Sequence, residues 1–181
     1  SKNYFVWEPD TVEFIDNFKP ASIFYDIGAN LGGFSLYAGK AGHKVYSFEP
    51  SSFNFCVLTH NVYLNGADDE VYVSPVALSN KTNANHFYMQ HLQAGGAENM
   101  INEPQWWGGS FSYKFKQAIL CFSLDDFIDL FQLPFPNYLK IDVDGVEEQV
   151  LAGASRTLED KRLCSVLIEL PAQSDTTDRV V

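Results

Sequence analysis

The sequence predicts an α/β protein with a doubly wound, mostly parallel sheet. Five short apolar segments read as strands, and segments with helical spacing of apolar residues lie between them. The first strand runs directly into a glycine-rich turn and then a helix, as at the ligand-binding edge of open α/β sheets. Strands joined by crossover helices must be parallel, so we expect helices on both faces of one sheet.

The expected elements follow in chain order. A helix over 8–18, within an N-terminal cover formed by residues 1–20, precedes the first strand at 23–27. The other expected core strands are 44–48, 71–76, 138–143 and 164–170, with short strands at 86–89 and 118–122. The other expected helices begin near 34, 51, 123 and 145 and end near 38, 65, 133 and 159.

One long polar segment interrupts this order. Residues 93–110 contain two pairs of glycines and two adjacent tryptophans, with little periodicity. Loops of that length are uncommon without a function, so one interpretation is a lid or an acceptor-binding loop. The other interpretation, a variable insertion without a role, stays open.

The length and net charge of the chain limit the number of domains and the classes of partner that can be expected. A chain of 181 residues is expected to form one domain, 1–181, with 23–170 as its core. The 12 basic and 23 acidic residues give a net charge of −11, which would repel phosphate backbones and anionic lipids. Neither a nucleic-acid partner nor a membrane partner is expected.

Cysteine usage and hydropathy favour a cytoplasmic protein. Cys56, Cys121 and Cys164 are scattered in apolar stretches and lack metal-binding spacing, so we expect reduced cysteines in the core. No apolar run approaches the roughly 20 residues of a membrane span, and no signal peptide is recognisable. The chain begins with Ser1 rather than Met, so this does not rule out a targeting segment ahead of it.

The glycine-rich turn limits what the first strand can bind. Gly28 and Gly33 occupy the first and third places of a dinucleotide fingerprint, but Asn30 occupies the middle one. A side chain there disfavours a closely held pyrophosphate, and it favours a nucleoside without phosphates. The alternative is structural, since any parallel sheet needs glycines where its first strand meets a helix.

Two acidic residues indicate more closely which nucleoside the turn is expected to bind. Glu49 ends the second strand, 21 positions after Gly28, where a carboxylate commonly binds both ribose hydroxyls. Asp26, beside the turn, suits a ligand that carries an ammonium and a sulfonium. An adenosine without phosphates that carries a sulfonium is S-adenosylmethionine, which we predict as the cofactor.

A second charged group follows the fourth core strand in KIDVDGVE, residues 140–147. Parallel strands end at one edge of the sheet, so Asp142 is expected on the same edge as Asp26 and Glu49. Asp144 and Glu147 have a simpler interpretation, stabilisation of the next helix through its dipole, with Lys140 paired to one of them.

Five segments together resemble the FkbM-type methyltransferases. They are DIGANLGGFS, FEP, PVALSN, SLDDF and LKIDVDGVEEQVLAGA, in the order in which they occur between residues 23 and 170. The resemblance implies a Rossmann-like class I methyltransferase fold and methylation of a hydroxyl on a sugar or small natural product. It departs from the family at Asp144, where glutamate is usual. It also departs after the fifth core strand, where the family has two further strands, so that either the chain is truncated there or the sheet stops early. An uncovered fifth strand would favour aggregation or a homodimer.

The same resemblance assigns cofactor-binding residues. Those implied around the methionine part are Asp26, Gly28, Asn30 and Gly32, with Glu49 on the ribose and Ala77 and Leu78 beside the adenine.

Methylation of a hydroxyl also needs alignment and a proton acceptor. Asp142 is the first candidate for a general base, and its rival roles are binding the cofactor amino group or only shaping the edge. The candidates on the acceptor side are His86, His91, Trp106 and Trp107. Asp142 and Glu169 end neighbouring strands, but their spacing is not diagnostic of a metal, and none is predicted.

Two other functions stay open at this point. A nicotinamide-dependent oxidoreductase has a similar sheet, although Asn30 disfavours it. A catalytically silent cofactor-binding module is compatible with the short C-terminal part.

Overall fold

The structure is a computed structural model that describes residues 8–97, 99–101, 105–106, 109–110 and 112–169. Its helices are α1 Pro9–Asp16, α2 Gly33–Lys40, α3 Ser52–Asn65, α4 Leu124–Phe131, α5 Glu147–Ala152 and α6 Ser155–Glu159. Its strands are β1 Ile23–Ile27, β2 Lys44–Phe48, β3 Val71–Ser74, β4 Ala77–Leu78, β5 Asn83–Met89, β6 Met100–Ile101, β7 Gln105–Trp106, β8 Gly109–Ser110, β9 Phe115–Phe122, β10 Tyr138–Ile141 and β11 Ser165–Ile168.

The main sheet is parallel and has the strand order β11-β10-β1-β2-β3. The chain starts at the centre with β1, moves outward to β3, and then returns to add β10 and β11 on the other side. This reversal is the switch point at which open α/β sheets bind ligands. The predicted doubly wound fold is confirmed.

A second, smaller sheet has the strand order β4-β9-β5-β6. The strand expected at 71–76 ends at Ser74, and the strands expected at 86–89 and 118–122 begin earlier, at Asn83 and Phe115. The physical reason for the two longer strands is the antiparallel pairing of β5 with β9 over 83–89 and 115–121, which buries one face of each strand. Residues 93–110, expected as a loop, contain β6 of this sheet and the separate pair of β7 and β8.

Local side chains set the helix ends. Ser51 and Ser123 each accept a hydrogen bond from a backbone N–H in the first turn of the following helix, as their N-cap positions predict. The single helix expected over 145–159 is wrong. The backbone N–H groups of Arg156 and Thr157 donate to the Asp125 carboxylate, which therefore starts a separate helix, α6.

Two apolar clusters fill the faces of the main sheet. Phe24 and Val45 face one cluster with Ile15 and Phe18, so α1 packs on that side. Tyr25, with Leu139 and Ile141 of β10, faces the other cluster. None of the helices in the described ranges has the length and apolarity needed to cross a bilayer.

The prediction of three core cysteines is correct only for Cys121, which is buried in β9. Cys56 lies on the exposed side of α3, and Cys164 is exposed just before β11. Apolar neighbours in the sequence do not predict the burial of Cys56, because this residue lies on the side of α3 away from the buried residues Leu58 and Val62.

Candidate functional site

The glycine-rich turn is held tightly between the ends of three strands. Gly28 and Gly32 have φ angles of +84° and +82°, which glycine adopts without strain. A Cβ atom on Gly28 would lie 1.8 Å from the backbone oxygen of Asp142. Asn30 also has a positive φ, +50°, so it supplies the left-handed turn while keeping a side chain.

Glu49 directly follows β2 and is only 5% exposed. Its Oε2 accepts a hydrogen bond from the backbone N–H of Asn30 at 2.9 Å, and its Oε1 accepts one from Ser51 at 2.8 Å. Burial raises the pKa of Glu49 to about 7, although these N–H groups act in the opposite direction. The carboxylate is thus fixed at the turn by these two N–H groups and by the Asn54 side chain, and it retains acceptor capacity for a ligand hydroxyl.

Asp26 lies in β1, next to the turn, and is buried. Its Oδ2 accepts a hydrogen bond from Ser35 Oγ at 2.5 Å, and Ser35 Oγ accepts one from Ser47 at 2.8 Å. Burial raises the pKa of Asp26, and the nearby Lys140 ammonium opposes that rise. Sequence reasoning missed both serines, although their small size in apolar surroundings was a usable signal.

Lys140 is buried in β10 and forms an ion pair with Asp142. The prediction that it pairs with Asp144 or Glu147 is wrong. Residues 140 and 142 are two apart along an extended segment, so their side chains lie on the same side of the sheet. Glu147 instead accepts a hydrogen bond from the backbone N–H of Gly145 at 2.9 Å.

Asp142 and Glu169 form a pair of carboxyl groups beyond the ends of β10 and β11. The backbone N–H of Glu169 donates to Ile141 at 3.0 Å, which sets the two side chains side by side. Burial favours a raised pKa for Asp142, but the charge of Lys140 and hydrogen bonds from Glu169 and Lys140 keep that pKa below its ordinary value. The hydrogen bond with Asp142, together with burial, raises the pKa of Glu169 to about 8. The two pKa shifts are opposite in direction, which favours an ionised Asp142 beside Glu169.

Ala77 and Leu78, which the resemblance places beside the adenine, are buried in β4. This strand follows β3 after two residues and pairs with Cys121 and Phe122 of β9. The two residues therefore lie where the main sheet passes into the second sheet.

A turn at Gly95 and Gly96 lies against the start of α3. The backbone N–H of Gly95 donates to Asn54 Oδ1 at 2.9 Å, and Asn54 Nδ2 donates to the Gly96 oxygen at 3.2 Å. The backbone N–H of Asn99 donates to Asp144 Oδ2 at 3.3 Å. Sequence reasoning did not single out Asn54 or Asn99, and only the adjacent glycines at 95 and 96 marked this turn.

The structure describes the side chains of only two of the four acceptor-side candidates. His86 is exposed on β5, and His91 is exposed after the end of that strand. The backbone of Trp106 belongs to β7, whereas Trp107 lies outside the described residues. Their role as acceptor-binding residues stays a prediction.

Two buried acceptor atoms at the turn fit an amino-bearing ligand. Asp26 Oδ1 and Asn30 Oδ1 are both buried without a hydrogen-bond partner among the described residues. Buried polar atoms are normally paired, so such a pair of acceptors indicates a ligand with N–H or O–H donors. The ammonium group and ribose hydroxyls of S-adenosylmethionine meet that requirement. Across the described ranges, no group of three or more His, Cys, Asp or Glu side chains is arranged to hold a metal ion.

Comparison with known proteins agrees with this geometry. The family model described as the methyltransferase FkbM domain matches residues 26–178. The hexuronic acid methyltransferase AglP of Haloferax volcanii is 27% identical over 156 residues, which are 86% of this chain and 59% of that protein. The chain thus spans about 59% of the length of this curated relative.

A solved structure supports the fold. The precorrin-6y C5,15-methyltransferase of Geobacter metallireducens GS-15 superposes with a TM-score of 0.51 at 14% identity. The superposition covers 89% of this chain and 60% of that one. At this identity the similarity concerns the fold alone, which is the Rossmann-like sheet of class I methyltransferases.

Proposed function

Because the chain belongs to the methyltransferase FkbM domain family, whose cofactor is S-adenosylmethionine, we propose that it methylates a hydroxyl oxygen of a sugar or small natural product. The observation that carries the proposal is the arrangement around the turn at residues 28–32. There a fixed Glu49 carboxylate lies beside the unpartnered acceptor atoms of Asp26 and Asn30. The sugar class is supported by AglP, whose name describes a methyltransferase for hexuronic acid.

The cofactor-binding residues have separate roles in this proposal. Glu49 accepts hydrogen bonds from the ribose hydroxyls, and Asp26 and Asn30 accept them from the ammonium group. Ala77 and Leu78 provide an apolar surface for the adenine. When bound, the cofactor supplies a methyl group that its sulfonium already activates.

The chain's own contribution to the reaction is positioning and proton transfer. Asp142 is ionised because Lys140 lies beside it, so it can accept the proton of the acceptor hydroxyl as the oxygen gains the methyl group. Glu169 holds its own proton against Asp142 and thereby orients that carboxylate. The rival role for Asp142, binding the cofactor ammonium, predicts a different result on mutation.

Calorimetric titration with S-adenosylmethionine tests the cofactor assignment. Glu49→Ala removes hydrogen bonds to a charged group, so we expect affinity to fall about 10- to 100-fold. Asp68→Asn, at an exposed position, is the control and is expected to bind like the wild type. Undiminished affinity in Glu49→Ala would contradict the ribose assignment.

Methyl transfer to a panel of sugars and small alcohols tests the role of Asp142. We expect Asp142→Asn to lower kcat about 100-fold or more while cofactor affinity changes less than threefold. A large loss of cofactor affinity would instead assign Asp142 to the ammonium group. Cofactor binding without transfer to any acceptor would favour the catalytically silent module.

A further inference from the structure

Glu8 directly precedes helix α1 and is half-buried. Its Oε2 accepts a hydrogen bond from Thr11 Oγ1 at 3.3 Å, and Thr11 is itself buried in the first turn of α1. None of the ion pairs between described residues includes Glu8. The carboxylate is therefore oriented by its own helix, and no cation among the described residues contacts it directly.

Helix α1 carries Glu8 towards the carboxyl end of the main sheet. Phe18, just beyond the C-terminal end of α1, stacks on the ring of Tyr138 with ring centroids 3.9 Å apart, and Tyr138 is the first residue of β10. A helix of eight residues is about 12 Å long, and the extended chain from Tyr138 to Asp142 also spans about 13 Å. A helix that runs back along β10 thus brings Glu8 to the level of Asp142.

The electrostatic neighbours of Glu8 agree with this placement. On the face of the sheet that α1 covers, Asp26 of β1 is the register partner of Lys140 of β10. Burial raises the pKa of Glu8, the Lys140 ammonium lowers it, and the Asp142 and Asp26 carboxylates raise it. The charge of Glu8 in turn raises the pKa of Glu169. Glu8 therefore lies within electrostatic reach of these four side chains.

This group of side chains has more negative than positive charge. Lys140 is its one cation among the described residues, and even with Glu169 protonated three other carboxyl groups surround that ammonium. Asp26 is only 1% exposed, and its Oδ1 has no hydrogen-bond partner among the described residues. A ligand cation with N–H donors would satisfy both the charge and the unpartnered oxygen.

An ammonium group has three N–H donors. The unpartnered Oδ1 atoms of Asp26 and Asn30 can accept two of them. Asp142 is poorly suited to accept the third, because it already pairs with Lys140 and Glu169. Glu8 is the remaining carboxylate of the group.

We infer that Glu8 is a further cofactor-binding residue, whose carboxylate accepts the third hydrogen bond of the ammonium group on the methionine part. This inference rests on the proposed binding of S-adenosylmethionine. It gives the N-terminal cover helix a direct role in binding, since α1 sets the position of this carboxylate over the edge of the sheet.

The test compares two ligands that differ only in the ammonium group. Calorimetry measures the affinity of the full chain for S-adenosylhomocysteine and for its des-amino analogue, in which a CH₂ group replaces the carbon that carries the ammonium. We expect the wild type to prefer S-adenosylhomocysteine about 100-fold or more, because the analogue leaves several acceptors unpaired.

Variants of Glu8 should weaken this preference selectively. We expect Glu8→Ala to lower the affinity for S-adenosylhomocysteine about 10-fold and that for the analogue less than twofold. Glu8→Gln keeps an acceptor oxygen but not the charge, so we expect a loss of about threefold for S-adenosylhomocysteine alone. Glu13→Ala removes an exposed carboxylate from the same helix and should bind both ligands like the wild type.

Each outcome decides the inference. Equal wild-type affinity for both ligands would overturn it, even if neither Glu8 variant folded. Unchanged affinities in the Glu8 variants, or equal losses for both ligands, would also overturn it, since Glu8 would then not contact the ammonium. A loss for S-adenosylmethionine without a loss for S-adenosylhomocysteine would assign Glu8 to the sulfonium instead. Absence of wild-type binding to S-adenosylmethionine and S-adenosylhomocysteine would overturn the proposed function itself, and with it this inference.

Discussion

The two ends of the candidate site hold carboxylates by different physical means. At the end proposed to bind the nucleoside, the buried Glu49 is held by the backbone N–H groups of Asn30 and Ser51. At the other end, Asp142 is held by the buried ammonium of Lys140, with Glu169 beside it. Backbone donors fix a carboxylate in place but neutralise little of its charge, whereas an ammonium also keeps its partner ionised.

The difference matches the chemistry proposed for each end. A carboxylate that binds ribose hydroxyls needs a fixed position and can tolerate a pKa of about 7. A carboxylate that accepts a proton must be ionised before the acceptor arrives, which is what Lys140 provides for Asp142. One sheet edge thus combines a rigid binding group with an ionised one.

The largest expected effect is at Gly28, where the two ends meet. Gly28→Ala would place a methyl group 1.8 Å from the Asp142 backbone oxygen at a φ of +84°. We expect a loss of about 4 kcal/mol or more in the free energy of unfolding, from overpacking and backbone strain together. Urea denaturation measures it.

Gly42→Ala is the matched control for that variant. Gly42 has a similar φ of +92°, but nothing lies within 4 Å of an added Cβ atom. Backbone strain alone should cost about 1–2 kcal/mol. If Gly28→Ala and Gly42→Ala cause equally small losses of stability, the close approach of Gly28 to the Asp142 backbone oxygen does not explain why position 28 is a glycine.

The next largest loss of stability is expected for Lys140→Met, at the end of the site that holds Asp142. It removes the ammonium and leaves Asp142 and the buried Asp26 without their cationic neighbour, which is expected to destabilise the fold by about 3–5 kcal/mol. Lys44→Met, which removes an exposed ion pair with Glu70, should cost less than about 1 kcal/mol. Similar losses in both variants would show that the buried ammonium contributes no more than a surface one.

Much of the main sheet could be predicted from the sequence, because its signals are local. The strand at 23–27, the glycine turn and the serine caps each depend on a few neighbouring residues. Because parallel strands end at one edge, the same reasoning brought Asp26, Glu49 and Asp142 to that edge.

What could not be predicted depends on contacts between distant parts of the chain. The second sheet requires β5 to pair with β9, and the separate helix α6 requires Asp125 to reach Arg156 and Thr157. The Lys140 pairing, by contrast, was predictable from the alternation of side chains along a strand.

A smaller effect is expected on the pH dependence of stability, at the end of the site that holds Glu49. Burial raises the pKa of Glu49 to about 7 from an ordinary 4.5, so the folded protein binds this proton more tightly than the unfolded chain. Stability from this group is present below pH 4.5 and is lost as pH rises to 7, by an amount on the order of 2 kcal/mol. Glu49→Gln should therefore show a weaker pH dependence of its urea midpoint between pH 5 and 7. Glu70→Gln, on the surface, should retain the wild-type dependence.

The smallest expected effect belongs to Glu169 at the other end, and it falls in a different pH range. Its pKa is raised to about 8, first by the hydrogen bond with Asp142, so its contribution continues to be lost between pH 7 and 8, after most of the contribution of Glu49 has been lost. Because Glu169 is exposed, solvent screening limits the change to less than about 1 kcal/mol. Glu169→Gln keeps a donor for Asp142 but no longer titrates, so its urea midpoint should fall less from pH 7 to 8 than that of the wild type and of Glu159→Gln. Parallel curves for all three proteins would mean that Glu169 carries no shared proton and that Lys140 alone sets the charge of Asp142.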